Sequence, residues 1–584
     1  MEKRWVLKQQ GDSKVISHLS QVLNITENLA SLLAQRDVST FEEARAYFRP
    51  QLDHLHDPFL MKDMDRAVDR IEQAIKKGEK ILVYGDYDVD GTTAVALVFT
   101  FLKKFYDKLD FYLPDRYNEG YGVSFKGIDF ASNNGFSLVI ALDCGIKAVE
   151  KVEYALSHNI DFIICDHHRP GEKLPAASAI LDPKRDDCEY PYKDLSGCGV
   201  GFKLIQAYAK KNNIPFANLE QFLDLVVVSI ASDIVPITGE NRILAYYGLK
   251  RINSYARPGI EAILNVSNFQ KSVGENQAIR QFNRELTIND LVFILGPRIN
   301  AAGRIESARN SVELLITEDR IKASELGKQI NDLNTERKNL DSLATLQALE
   351  MIRGDETLLN RKSTVIFRPD WHKGVIGIVA SRLIENYYKP TIVLTKAEGL
   401  ITGSARSIKG FDIYDAVDSC GDLLEHFGGH TYAAGLSLKP ENLDNLIERF
   451  ENYVARVVNS DMMVPEIEID AMLKIKEINS KFYKILNQFA PFGPGNMSPV
   501  FQTDQVIDTG NARIVGNNHL KLNVVQLDVT GYPISAIAFQ QGDQFEFVKG
   551  GIPFNICYHI EENEWNGQKS LQLNIKDIKP AVIS

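Results

Sequence analysis

Between residues 80 and 182, short and mainly apolar runs recur among stretches of helical spacing: ILVY at 81–84, LDFYL at 109–113, SLVIAL at 137–142, FIIC at 162–165 and AIL at 179–181. Runs of this length predict buried strands, and strands alternating with helices predict a parallel, doubly wound α/β sheet. Ligands of such sheets bind just past the carboxyl ends of the strands. The residues in those positions here are acidic.

The pattern differs elsewhere. Residues 1–75 are polar with helical spacing, interrupted at Pro50, and predict an N-terminal helical cap to an α/β domain spanning 76–310. Residues 311–355 lack proline and keep apolar residues at helical spacing, which predicts one or two long helices bridging two lobes. The stretch STVIFRPDWHKGVIGIVASRLIENYYKPTIVLT reads as strand, helix, strand, and ITGSARS as a further strand, giving a second α/β domain over 356–462. From 463 to 584, alternating segments punctuated by turns, such as HLKLNVVQLDVT and YPISAIAFQ, predict a small antiparallel β-barrel.

Composition narrows the class. At about 150 residues per domain, 584 residues correspond to several domains, and 44% hydrophobic with 24% charged residues excludes collagenous and disordered chains. The formal charge of −11 (66 basic, 77 acidic) argues against a polycation that coats nucleic acid, though not against a local basic groove. Six cysteines, at 144, 165, 188, 198, 420 and 557, form no C-x-x-C pair, so reduced thiols and a cytoplasmic address are expected. The N-terminus has no apolar stretch behind its charges, and no run approaches the roughly 20 residues of a membrane helix.

The first strand ends in GDYDVDGTTA, with Asp86, Asp88 and Asp90 at alternate positions before an expected change of chain direction at Gly91. Three carboxylates so close repel one another unless cations neutralise them, and hard oxygen ligands suit Mg²⁺ or Mn²⁺. A calcium loop counted from Asp86 would need glutamate at its twelfth position, which is Leu97. The third strand ends in Asp143, the fourth runs into Asp166, His167 and His168, and a long apolar run precedes Asp233. Each is unremarkable alone; together they form a metal-binding constellation in which imidazole favours Mn²⁺ over calcium. No G-x-S-x-G or other protein nucleophile pattern accompanies it. A phosphodiester substrate would also need bidentate cationic donors. Arg116, Arg298, Arg304 and Arg406 are the candidates, with Asn300 between two of them in GPRINAAGR and Ser404 beside the last in GSARS.

These residues resemble the DHH phosphoesterases, named for the Asp-His-His seen at 166–168. PDRYNEGYG at 114–122, LSGCGVGFKL at 195–204, ASDIVPITGENR at 231–242 and LGPRINAAGRIESA at 295–308 are similar to the branch that degrades single-stranded DNA. GSARS at 403–407 and FGGHTYAAG at 427–435 resemble its DHHA1 domain, and PFGPGNMSPVF at 491–501 with IVGNNHLKL at 514–522 its OB-fold region. The resemblance implies two Mn²⁺ or Mg²⁺ ions with Asp88, Asp90, Asp143, His167 and Asp233 as ligands, Asp86 taking the place of a histidine that several relatives carry where Tyr84 stands here. It implies that Asp166 orients its neighbours, that His168 acts on the phosphate or leaving group, and that Arg116, Ser404 and Arg406 hold a terminal 5′-phosphate, with His430 a phosphate or sugar contact. The implied activity is processive 5′-to-3′ hydrolysis of single-stranded DNA to mononucleotides in repair and recombination, by a monomer partnered by a single-stranded-DNA-binding protein and a RecQ-type helicase. The alternatives are a phosphoesterase of short oligonucleotides or cyclic dinucleotides, and a non-catalytic replication scaffold. Phe539, Tyr532 and His519 are candidate stacking faces on the barrel, and Trp371 reads equally as packing or base stacking.

Overall fold

The computed structural model describes residues 2–269, 271–273, 280–282, 284–305, 307–527, 531–565 and 568–581. They form two compact units, one of residues 1–51 and 464–584, the other of residues 52–463.

In the larger unit the apolar runs become five strands: β1 (Lys80–Gly85), β2 (Leu109–Tyr112), β3 (Phe136–Leu142), β4 (Asp161–Cys165) and β5 (Ala179–Leu181). They pair in the order β2-β1-β3-β4-β5, every pair parallel. Parallel strands need crossover connections, which carry helices over both faces and bury the strands, so the central ones read as nearly continuous apolar runs, whereas edge-side β2 (LDFY) alternates buried and half-buried positions. Helix α1 (Val89–Lys103) is apolar around nearly its whole circumference. It packs against α2 (Gly197–Lys211) and α3 (Leu223–Ser232), as a helix buried on all sides must. The apolar run before Asp233 is therefore α3, with Asp233 at its carboxyl end.

Helix α4 (Gly296–Ile305) leads to α5 (Arg320–Arg353), 34 residues and about 50 Å long at 1.5 Å per residue. Asp319 caps α5 by accepting the N–H of Ile321. Helix α5 packs against α4 on one side and α6 (Ile376–Tyr387) on the other, bridging the two sheets of this unit. The second sheet orders β6 (Thr364–Phe367), β7 (Thr391–Ala397), β8 (Leu400–Arg406), β9 (Leu424–His430) and β10 (Ala433–Leu438) as β9-β10-β8-β7-β6; only β6 and β7 run parallel.

The smaller unit contains the barrel: β11 (Phe501–Asp508), β12 (Arg513–Val515), β13 (His519–Gln526), β14 (Ile534–Ala538), β15 (Phe554–Trp565) and β16 (Gln568–Pro580). The order β11-β15-β16-β14-β13-β12 closes by pairing of β11 with β13. The expected all-antiparallel barrel differs in one internal pair, since β14 and β16 run parallel. Residues 528–530, at the end of HLKLNVVQLDVT, lie outside the described residues. The first 51 residues share a hydrophobic core with the barrel. Strand Arg4–Leu7 pairs in parallel with Glu466–Ile469, and Trp5 Nε1 donates to Asp577 at 2.8 Å. The segment from Leu52 onward, including helix Met64–Lys77, belongs to the larger unit.

Candidate active site

Three parallel strands deliver carboxylates to one edge. β1 ends at Gly85 and the chain turns through Asp86–Asp88, earlier than the expected turn at Gly91. Gly91 lies in the first turn of α1, where a Cβ would stand 2.3 Å from the Asp86 carbonyl oxygen. Asp88 caps α1 by accepting the Gly91 N–H at 3.1 Å. Asp86 Oδ1 accepts the Gly122 N–H at 3.0 Å, while its Oδ2 is buried with no partner among the described residues. Tyr84, at the position of the relatives' histidine, donates to the Gly122 carbonyl and accepts the Ser124 N–H, so it holds the loop that holds Asp86.

His167 stands at the centre. Its Nε2 lies 3.2 Å from Asp143 Oδ1, 3.6 Å from Asp233 Oδ2 and 3.7 Å from Asp90 Oδ2. Asp143 Oδ1 and both imidazole nitrogens of His167 are buried with no hydrogen-bond partner among the described residues. Burial holds the His167 pKa below its ordinary value, so the ring is neutral and its lone pair available. Burial, and then mutual repulsion, raises the pKa values of Asp86, Asp88, Asp143 and Asp233. Asp90 accepts the Gly197 N–H and Cys198 N–H from the first turn of α2 and the Ser229 hydroxyl, each at 2.7 Å. A helix N-terminus is well suited to that charge.

Orphaned, buried carboxylate oxygens around a neutral imidazole fit hard divalent cations, Mn²⁺ or Mg²⁺. Asp90, His167 and Asp233 offer ligand atoms within 4.8 Å of one another, as do Asp143, His167 and His168. Asp166 is occupied otherwise. Its Oδ1 accepts from the N–H groups of His167 and His168 and from His168 Nδ1 at 2.7 Å, and its Oδ2 from Ile146 N–H. Burial opposes ionisation of Asp166, but these donors prevail and hold its pKa at about 2. Burial likewise opposes a charged His168, and Asp166 overcomes it, raising the imidazole to about 9.

A cationic pocket adjoins this cluster. Arg116 lies 4.9 Å over the ring of Tyr87, the residue between Asp86 and Asp88. Tyr117, next to Arg116, donates its hydroxyl to the Arg304 carbonyl. Arg304 Nη1 donates to the Gly374 carbonyl at 2.8 Å, and Arg406 Nη1 contacts Ser404 Oγ at 3.0 Å. Burial, then Arg116, Arg337 and Arg406, lowers the Arg304 pKa to about 10; burial and Arg116 lower that of Arg406. Among the described residues no carboxylate lies within 4 Å of Arg116, Arg304 or Arg406. A Cβ on Gly377 would stand 2.9 Å from both Arg406 Nη2 and Ser404 Oγ, so the first turn of α6 opens onto the same pocket.

The remaining candidates divide. His430 is exposed at the end of β9, and partial burial with the charges of Arg406 and His168 lowers its pKa. Arg298 stands apart from the trio, bonded to Asn331 Oδ1 and the Ile294 carbonyl beside Arg337, and Asn300 is half-buried on α4. Trp371 is buried with Nε1 bonded to Gln347, which makes it packing. On the barrel Tyr532 is 93% exposed, and Phe539 is exposed with its ring edge-on to His519 at 5.1 Å. Sequence reasoning missed Tyr121, whose hydroxyl lies 3.1 Å from His168 Nε2, and the donors Gly197, Cys198 and Ser229. It also passed over Asp182, although that residue follows an apolar run as the others do.

Such a donor set at the carboxyl edge of a parallel sheet defines a metal-dependent phosphoesterase of the DHH type. Residues 80–230 match the DHH family N-terminal domain, 360–456 the DHHA1 domain and 469–577 the RecJ OB domain. The single-stranded-DNA-specific exonuclease RecJ of Bacillus subtilis is 38% identical over 98% of this chain and 70% of its own length. The Escherichia coli enzyme of the same name is 33% identical over 89% of this chain and 91% of its own. The crystal structure of RecJ from Thermus thermophilus in complex with Mn²⁺ superposes with a TM-score of 0.82 at 25% identity, covering 99% of this chain and 79% of that one. The chain belongs to the RecJ family.

Proposed function

We propose that the protein is a metal-dependent exonuclease that hydrolyses single-stranded DNA from its 5′ end and releases 5′-mononucleotides. The observation that carries this reading is the adjacency of two features: a carboxylate and imidazole cluster suited to divalent cations, and a pocket of three arginines with no carboxylate partner among the described residues. Arg116, Arg304, Arg406 and Ser404 hold the terminal 5′-phosphate. Tyr87, lying beneath Arg116 and between Asp86 and Asp88, joins the pocket to the cluster, so a phosphate bound there brings the first phosphodiester bond to the cluster. A chain end satisfies both sites at once, which accounts for exonucleolytic action.

Two divalent cations, Mn²⁺ or Mg²⁺, held by Asp86, Asp88, Asp90, Asp143, His167 and Asp233 supply the activation of water and the charge neutralisation that phosphodiester hydrolysis needs. The protein's own contribution is orientation and one proton. Asp166 keeps a proton on His168 Nδ1, and Nε2, 3.1 Å from the Tyr121 hydroxyl, is the nitrogen that donates to a phosphate or leaving oxygen. Arg298, Asn300 and His430 contact the strand further along. Tyr532, Phe539 and His519 on the barrel offer faces on which bases stack. Among the described residues no helix is long and apolar enough to cross a membrane. The reading places a monomeric enzyme in the cytoplasm, in repair and recombination, partnered by a single-stranded-DNA-binding protein and a RecQ-type helicase.

The test is digestion of single-stranded DNA labelled at the 5′ or the 3′ end, with Mn²⁺, Mg²⁺ or chelator, beside blunt duplex and RNA. Immediate release of 5′-labelled mononucleotide, lost with chelator and absent on duplex, is expected. Cleavage confined to dinucleotides would assign the protein to another branch of the phosphoesterases, and binding without cleavage would make it a scaffold.

A further inference from the structure

Strand β5 is the edge strand of the catalytic sheet, and its exit turn reaches the same edge as the metal cluster. Cys165 pairs with Leu181, and the Asp166 N–H donates to the Leu181 carbonyl at 2.9 Å, so Asp182 continues β5 beside Asp166. Asp182 is fully buried. Its Oδ1 accepts the Lys184 N–H at 2.7 Å across Pro183, an Asx turn, and its Oδ2 is buried with no partner among the described residues.

The turn is fixed from the far side by Arg185. That guanidinium donates to Asp187 through Nε and Nη2 at 2.9 and 2.8 Å, and through Nη1 to Asp63 at 2.8 Å and the Ile180 carbonyl at 2.6 Å. Between these anchored neighbours stands Lys184, half-buried, whose ammonium has neither an ion pair nor a hydrogen bond among the described residues. Its charge nevertheless acts on Asp233, His167 and Asp182. A lysine within electrostatic reach of a carboxylate cluster, on a rigid turn, yet paired with none of those carboxylates, is a cation placed for an anion that arrives from outside.

We propose that Lys184 is a substrate-contacting residue of the hydrolytic site, its ammonium binding a non-bridging oxygen of the phosphate being cleaved, and that Asp182 is the residue that positions it. This rests on the reading of the site as a phosphodiesterase. The bond broken is the P–O3′ bond to the departing 5′-mononucleotide, water supplies the oxygen of the new P–O bond and a proton to the departing 3′-oxygen, the remaining strand keeps the phosphate as its new 5′ end, and Lys184 remains an ammonium throughout. Its contribution is to the charge that accumulates on the phosphate oxygens in the transition state.

The experiment compares full-length wild type with Lys184→Ala, Lys184→Arg, Asp182→Asn and Asp182→Ala on a 5′-phosphorylated single-stranded oligonucleotide, with Mn²⁺ affinity and melting temperature measured on each. Lys184→Ala is expected to lower kcat about 10²-fold, with Mn²⁺ affinity not reduced, melting temperature unchanged and partial recovery in Lys184→Arg. Asp182→Asn keeps an acceptor for the Lys184 N–H and retains most activity. Asp182→Ala falls with Lys184→Ala, and the double variant is no worse than either. A single phosphorothioate diastereomer at the first linkage slows wild type more than it slows Lys184→Ala. A kcat for Lys184→Ala close to wild type would overturn the proposal. So would a fall matched by an equal loss of Mn²⁺ affinity, because Lys184 would then act on the ligands and not the substrate. If wild type itself leaves the oligonucleotide intact, the phosphodiesterase reading fails first and this proposal with it.

Discussion

Asp166 Oδ1 accepts a hydrogen bond from His168 Nδ1 at 2.7 Å while also capping the backbone N–H groups of both histidines. One carboxylate thereby fixes the tautomer of one imidazole and the placement of the other. Alanine at His168 is expected to lower kcat by about 10²–10⁴-fold, the usual range for a lost general acid, while Mn²⁺ still binds. Asp166→Asn, which keeps the shape and loses the charge, should lower kcat less than Asp166→Ala. Single-turnover cleavage of labelled oligonucleotide measures all three, and an unimpaired His168→Ala would remove His168 from the chemistry.

Gly197 decides whether Asp143 can hold its place. A Cβ there would lie 2.6 Å from Asp143 Cβ and 2.7 Å from its Oδ1, and the same residue's N–H braces Asp90 at 2.7 Å. Gly197→Ala is therefore expected to displace a ligand without unfolding the sheet. Mn²⁺ affinity should fall at least about tenfold, the lower bound for lost support of a metal ligand, and hydrolysis should fall with it. Calorimetric titration of Mn²⁺ into the folded variant reads this directly.

Acidity and metal must compete for the same oxygens. In the metal-free protein burial and repulsion raise the pKa values of Asp86, Asp88, Asp143 and Asp233. A carboxyl whose folded pKa exceeds its unfolded value binds more protons when folded, so this cluster costs stability as pH rises through the folded values. Cations relieve that cost by replacing the protons. The gain in melting temperature on adding Mn²⁺ should thus grow as pH rises above the ordinary carboxylate range and through the raised values of the cluster. Asp143→Asn, with one charge fewer, should show a smaller gain and a weaker pH dependence in the same melts.

Much of this site was legible because the strands that carry it are buried on both faces. An apolar run such as SLVIAL is visible in sequence, and so is the Asp143 that ends it. The same rule applied to AIL would have found Asp182, but a run of three residues draws little notice. Other features depend on distance in sequence. The donors to Asp90 come from residues more than a hundred positions away, and the arginines of the pocket from three separate segments. The pairing of Arg4–Leu7 with Glu466–Ile469 leaves no local sign, since Arg4 and Glu466 are separated by 462 positions. Helix and strand are also hard to tell apart for LVVVSIAS, which is apolar on every side because α3 is buried on every side.

Gly377 tests the phosphate pocket without touching an arginine. Its missing side chain leaves the space between Ser404 Oγ and Arg406 Nη2, each 2.9 Å from where a Cβ would be. Gly377→Ala is expected to abolish the preference for 5′-phosphorylated over 5′-hydroxyl ends, as Arg406→Ala should, while Mn²⁺ affinity stays at the wild-type value. Competition between the two ends in one reaction measures the preference. An equal loss on both ends would mean that the pocket supports the fold and does not read the terminus.

The arginine trio should make the free protein a sensor for its own product. Arg304 has its pKa lowered to about 10, first by burial and then by Arg116, Arg337 and Arg406, so the pocket holds repulsion that an anion relieves. A 5′-mononucleotide added in the presence of chelator binds without being turned over, which separates this site from the metal cluster. At about one hundred times its dissociation constant it should stabilise the folded state by about 2.7 kcal/mol, a rise of several degrees in melting temperature. The corresponding nucleoside lacks the phosphate and should leave the melt unchanged. Arg304→Gln removes the most strongly shifted member of the trio, so its melting temperature should respond little to the mononucleotide while still rising with Mn²⁺. Were the nucleoside to stabilise the protein as well as the nucleotide does, recognition would lie with the base or sugar, and the trio would be a structural charge cluster.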